Sequence, residues 1–142
     1  MPTTLVEGPP GEAEGLGLLE VDTVLKGPKV LEEATGTETA TGAAVAGYEM
    51  HMGRTEGPDR ARPMLTLTGG QTDGAVSADG RVMGCYLHGL FGADGFRAVF
   101  LRGLGGEASG QSYAAAVEQA LDRIAARLEE HVDIDALLAA AR

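Results

Sequence analysis

In the stretch VMGCYLHGLFG, Val82 to Gly92, the chain's single cysteine, Cys85, stands three residues before His88. A thiol and an imidazole are the working parts of a cysteine hydrolase. The imidazole takes the thiol proton and the thiolate attacks a carbonyl carbon, which requires the two groups to come within about 3.2 Å. The spacing argues against this pair. The stretch reads as a strand, and on a regular strand successive side chains take opposite faces. Residues 85 and 87 point one way, and 86 and 88 the other. A bend at Gly84 precedes both residues and leaves that relation unchanged. Cys85 therefore reads as a small buried apolar residue. His88 is the better catalytic candidate. It ends an apolar strand, Gly89 beside it leaves room for a substrate, and a helix follows; ligands bind at the carboxyl ends of strands in open α/β sheets. A plain structural histidine is the alternative.

Three more residues sit near a second pattern. In AVAGYEMHM, residues 44–52, Ala44, Ala46, Tyr48, Met50 and Met52 share one face of a strand, and Val45, Gly47, Glu49 and His51 share the other. Arg54 follows in the loop after it. Glu49, His51 and Arg54 are candidates for the flank of a site. Their ordinary readings are a solvated strand carboxylate, a structural histidine and a surface arginine.

The elements that must position these groups come in an unusual order. Residues 1–14 are rich in Pro, Gly and Glu and form an irregular leading segment. LGLLEVDTVL alternates as a half-buried strand, a Gly27-Pro28 turn follows, and KVLEEAT reads as its hairpin partner. Gly53 to Thr72, with two prolines and several glycines, is expected to be mostly loop. An Asp79-Gly80 turn between apolar runs is the strongest short-range hairpin signal. Asp94 is placed to cap a helix bearing Phe96, Val99, Phe100 and Gly103, stopped near Gly105. From about Ser112, Tyr113, Val117, Leu121, Ile124 and Leu128 recur at helical spacing. Asp133 caps a short last helix. Strands come first and helices last, whereas a complete α/β domain alternates them. The chain reads as the second half of a domain.

The 142 residues suit one domain, and Leu, Val and Ala must build the core because aromatics are only 4%. The net charge of −10 and scattered basic residues argue against nucleic-acid binding, which needs clustered Lys and Arg. One cysteine excludes an internal disulfide and leaves no metal-ligand spacing, so no metal site is expected. No apolar run approaches the ~20 residues of a membrane span, and the leading residues lack the pattern of a signal peptide. A cytoplasmic setting is expected.

Four strings carry a family resemblance: GLGLLEVDTVL, GYEMHMGRTEGPD, DGAVSADGRVMGCYLHGLF and the tail YAAAVEQALDRIAARLEEHVDIDALLAAAR. Together, from about Glu7 to Arg142, they resemble the C-terminal part of the cobyric acid synthase family, glutamine-hydrolysing enzymes of cobalamin biosynthesis. The resemblance implies an α/β fold, specifically a partial flavodoxin-like class I glutamine amidotransferase domain whose N-terminal strands are missing. It implies a cysteine nucleophile on an elbow and a histidine base in Tyr-Leu-His-Gly-Leu-Phe, which falls on His88. Ammonia from glutamine then serves an ATP-using domain that amidates corrinoid carboxylates.

The departures from the family pattern are specific. The elbow string and a phosphate-binding loop are absent from these residues, so the nucleophile, the ATP site and its Mg2+ are expected on a missing N-terminal partner portion, with no cofactor in this chain. The glutamate that many class I amidotransferases place two residues after the histidine is Leu90 here, with Glu49 as one substitute. Alone, the chain is expected to be inactive. The rival reading is a non-catalytic interaction module or a degenerate fragment.

Overall fold

The computed structural model describes residues 11–25 and 27–141; the first part of the leading segment lies outside them. Residues 11–16 carry no regular structure. Five strands form the main sheet, in the order β6-β5-β2-β3-β9. Here β2 is Val30–Glu38, β3 is Ala44–His51, β5 is Leu65–Leu67, β6 is Thr72–Asp73 and β9 is Leu87–His88.

The β2–β3 hairpin runs in register from Val30↔His51 to Thr37↔Ala44. Glu38 closes its turn. The buried carboxylate accepts hydrogen bonds from Ala40 N (3.0 Å), Thr41 N (2.7 Å) and Thr41 Oγ1 (2.5 Å). Burial pushes this carboxyl up, but those bonds outweigh it and hold the group below its ordinary range.

Alternation in LGLLEVDTVL yields only a three-residue strand, exposed throughout rather than half-buried, and with a different partner from the one expected. β1, Asp22–Val24, pairs antiparallel with β4, Arg54–Glu56, and not with β2. Thr23 and Thr55 join hydroxyls across that pair at 2.7 Å, and Glu20 N donates to Asp59 Oδ2 at 2.9 Å. Alternation fixes which way side chains face; it does not choose the neighbouring strand.

The expected loop between Gly53 and Thr72 also contains structure: β4, a 3-10 turn at Pro58–Ala61, and β5. β5 is central to the core, with Leu65 fully buried. Its brevity, with Pro63 just before it and Gly69-Gly70 just after it, hid it.

The Asp79-Gly80 turn joins β7, Ala75–Val76, to β8, Met83–Gly84, as a hairpin. Gly80 takes the left-handed φ of 71° that such a turn requires. Asp79 Oδ1 accepts from Ser77 Oγ and Arg81 N.

The apolar run through Cys85 is not one continuous strand. β8 belongs to the β7 hairpin and β9 to the main sheet, with Cys85 and Tyr86 as the break between them. The buried Asp73 carboxylate makes that break stable. It accepts from Tyr86 N (2.9 Å to Oδ2) and Leu87 N (3.0 Å), so these amides are satisfied without a strand partner.

Every strand pairing among the described residues is antiparallel, so His88 does not stand at the open edge of a parallel sheet. Neighbouring strands β2 and β3 are joined by a short turn, which permits only antiparallel pairing. The mixture of curled sheet and trailing helices is compatible with part of an α/β domain.

The core gathers Val45, Met64, Leu65, Leu67, Leu87, Leu90 and Phe96. Phe96 belongs to α1, Asp94–Gly103, and stacks obliquely with Phe91 and Phe100 at centroid separations of 5.5 and 5.7 Å. α2, Tyr113–His131, begins at the Ser112 cap, whose side chain accepts from Ala115 N. α3, Ile134–Ala140, begins at the Asp133 cap, which accepts from Ala136 N at 2.9 Å. The apolar stripe of α2 stays open, with Leu121 53% and Ile124 56% exposed. No described helix is long and apolar enough to cross a membrane.

Candidate functional site

His88 is held by its neighbour strand. β9 pairs with β3 through Tyr48↔His88 and Glu49↔Leu87. Directly opposed residues share a face, so His88 lies with Tyr48 and Leu87 lies with Glu49. The His88 and Tyr48 rings stack 5.3 Å apart with 11° between their planes. Nε2 of His88 lies 3.2 Å from the backbone oxygen of Met50. Gly47 makes this approach possible: a Cβ there would collide with the His88 carbonyl. Beyond His88 the chain turns through Gly89, at a left-handed φ of 79°, into a short 3-10 turn anchored by buried Leu90. The imidazole itself is exposed.

Cys85 has a different environment. It packs, partly buried, against the core, and its Sγ lies 3.8 Å from Leu87 O. Burial pushes its thiol up, with a smaller push from the nearby Asp73 carboxylate, against a small lowering by the Leu87 carbonyl contact. A neutral thiol is a poor nucleophile at neutral pH. The reading of Cys85 as a small apolar packing residue rested on unbroken strand alternation. The break at Cys85-Tyr86 removes that premise, but the thiol's packing supplies its own reason.

Glu49, His51 and Arg54 come together, but away from His88. All three line a polar cleft of about 440 Å³ with Arg60, Asp73 and Tyr86. Glu49 faces away from His88 on β3, so its carboxylate does not orient that imidazole. His51 stacks on Tyr86 at 4.7 Å, and its buried Nδ1 has no hydrogen-bond partner among the described residues. Tyr86 meets Thr55 Oγ1 through its hydroxyl at 2.5 Å. Arg54 pairs with Glu56 at 2.6 Å in solvent. A wider apolar cavity of about 840 Å³ is walled by Met64, Cys85, Leu87, Phe100 and Tyr113. No three His, Cys, Asp or Glu side chains among the described residues are grouped to hold a metal ion.

Sequence reasoning missed Tyr48, the Met50 carbonyl and Asp73. Tyr48 was visible as a strand residue, but nothing in the sequence showed which strand would lie beside it. Asp73 carried one signal, an acid followed by glycine within a turn-rich stretch, and that signal has many ordinary readings.

Comparison with known proteins gives this arrangement its context. Residues 3–96, His88 among them, match the model of the CobB/CobQ-like glutamine amidotransferase domain. The chain is 60% identical over 137 residues to the cobyric acid synthase of Rhodobacter capsulatus, which covers 96% of this chain and 28% of that protein. It is 58% identical over 133 residues to the cobyric acid synthase of Methylocella silvestris, covering 94% of this chain and 28% of the relative. The cobyric acid synthase of Cereibacter sphaeroides is 55% identical over 137 residues, with 96% and 28% covered. No solved structure matches. The chain thus spans about 28% of the length of the curated relatives it matches. With its Tyr-Leu-His-Gly-Leu-Phe string inside the matched region and its histidine presented on the sheet, the chain belongs to the CobB/CobQ-like glutamine amidotransferase family.

Proposed function

We propose that this chain is the histidine-bearing part of the glutamine-hydrolysing domain of a cobyric acid synthase, with His88 as its general base and acid. The observation that carries the reading is the contrast between two side chains. His88 is exposed and held on the sheet, while Cys85 is packed against the core with its thiol kept neutral. The nucleophilic cysteine then comes from the rest of the enzyme, together with the ATP and magnesium sites.

In this mechanism the external thiol gives its proton to His88, and the thiolate adds to the glutamine carboxamide carbon. The C–N bond breaks as His88 returns that proton to the departing ammonia. Water, losing a proton to His88, then cleaves the glutamyl thioester to glutamate and restores the thiol. The ammonia amidates a corrinoid carboxylate that the ATP-using part has activated. Proton transfer by such a base contributes typically ~10²–10⁴-fold. The chain alone, lacking an available nucleophile, has no glutaminase activity.

The test is His88→Asn in the full-length protein, with corrinoid amidation followed on glutamine and on added ammonia. The expected result is a loss of about 10²-fold or more with glutamine and near-normal turnover with ammonia. Normal glutamine-driven turnover removes His88 from the mechanism. Equal loss with both nitrogen sources assigns it to structure and favours the non-catalytic reading of this region.

A further inference from the structure

We propose that the Met50 carbonyl and the Tyr48 ring position His88, fixing its tautomer so that Nε2 carries the proton and Nδ1 presents the basic lone pair. This rests on the reading of His88 as the base. It assigns the task that a side-chain carboxylate performs in a three-residue site to a backbone oxygen and an aromatic ring.

A carbonyl oxygen only accepts hydrogen bonds, so the ring nitrogen that faces it must be the donor. In the structure that nitrogen is Nε2, 3.2 Å from Met50 O. A neutral imidazole has one N–H, which leaves Nδ1 unprotonated and able to accept. The ring plane is set by Tyr48, stacked at 5.3 Å and 11°. Both restraints oppose rotation about the Cβ–Cγ bond, the carbonyl by holding Nε2 and the phenol by holding the ring plane.

The side-chain alternatives are placed elsewhere. Leu90, two residues after His88, is buried in the core, and Glu49 is on the opposite face of β3. Gly47 supports the arrangement by letting the His88 backbone approach β3 without a Cβ in the way. Tyr48 is a positioning residue in this scheme, because it acts on His88 and touches no reacting atom. When Nδ1 takes the thiol proton, Nε2–H remains bonded to Met50 O, and the carbonyl dipole stabilises the imidazolium until the proton leaves with ammonia.

The direct test is long-range 1H–15N correlation of the 15N-histidine-labelled chain under mildly alkaline conditions, with His88 assigned through His88→Asn. The expected spectrum shows His88 locked as the Nε2–H form. Tyr48→Phe should keep that form, while Tyr48→Leu and Gly47→Ala should return it toward the mixture of free imidazole. A locked Nδ1–H form overturns the proposal. So does a free-imidazole mixture in the unaltered chain, a result that stands even if a variant fails to fold.

In the full-length protein, Tyr48→Leu should lower kcat with glutamine about 10-fold to 100-fold while KM changes little, as expected for a misaligned reacting group. Tyr48→Phe should retain turnover. The two readings fail separately. A locked Nε2–H ring in a protein whose His88→Asn variant hydrolyses glutamine normally removes the catalytic role and leaves the tautomer assignment standing.

Discussion

Asp94 opens α1 yet serves the start of α2: its Oδ1 accepts from the backbone N of Tyr113 at 3.0 Å. It does not cap its own helix, whose N-cap position is Ala93, without a side-chain cap bond. Arg97 completes the junction, bonding Asp94 Oδ1 (2.8 Å), Gln111 O (2.7 Å) and Phe91 O (2.6 Å). The Tyr113 amide, with the Ser112 side chain and Arg97, holds the Asp94 carboxyl below its ordinary range. Asp94→Ala should leave α1 in place and free the first turn of α2. Hydrogen exchange at Tyr113 to Ala116 should quicken while exchange in the β2–β3 hairpin is unchanged. Uniform quickening throughout the chain would show that the junction supports the whole fold.

Glu38 gives stability a defined acid dependence. Its folded-state carboxyl titrates below the ordinary value of 4.5, so the unfolded chain takes up this proton first as pH falls. The stabilisation is therefore present above about 4.5 and is lost as pH drops through the lower folded value. Glu38→Gln should cost about 1–2 kcal/mol at neutral pH, as expected for loss of charge-assisted bonds in a turn. The variant should also show a shallower loss of stability on acidification. Urea unfolding at neutral and acid pH measures both effects, and parallel curves for the two proteins would refute the assignment.

Cys85 should alkylate slowly in the native chain. Burial raises its thiol, so little thiolate exists at neutral pH, and the reaction should accelerate on denaturation or as pH rises. Iodoacetamide labelling followed by mass spectrometry measures the rates. In the full-length protein Cys85→Ala should retain glutamine-driven amidation. Native labelling as fast as in urea, or loss of glutamine use in Cys85→Ala, would make Cys85 a reactive thiol.

The α2 stripe should drive self-association of the 142-residue chain. Leu121 and Ile124 are more than half exposed on one helix face, and apolar surface of this kind is commonly covered by another chain or segment. Light scattering should report assemblies larger than a monomer, reduced in a Leu121→Glu, Ile124→Glu double variant. A dispersed monomer at high concentration would count against the stripe as an adhesive surface.

Local features of this fold were legible in the amino-acid sequence. The Ser112 and Asp133 caps act on amides three residues away, so neighbouring residues suffice to specify those helix starts. Alternation placed Val45 and Glu49 on one face of β3 and Tyr48 on the other, and the Asp79-Gly80 turn fixed the β7–β8 hairpin. The Tyr-Leu-His-Gly-Leu-Phe string singled out His88 and the family.

Relationships between distant segments were decided only by the tertiary structure. Alternation left the partner of β1 open, and Arg54–Glu56 took the place expected for the KVLEEAT stretch, Lys29–Thr35. The apolar run through Cys85 breaks because the Asp73 carboxylate, 13 and 14 residues away, takes its amides. Asp94 looked like a cap for its own helix because the Tyr113 amide is 19 residues away in sequence. The same limit governs the site. The sequence named the histidine, but register between β3 and β9 put the Tyr48 ring and Met50 carbonyl beside it and turned Glu49 to the other face. Local patterning fixes faces and caps, whereas a side chain's partners across the sheet depend on how the whole chain closes.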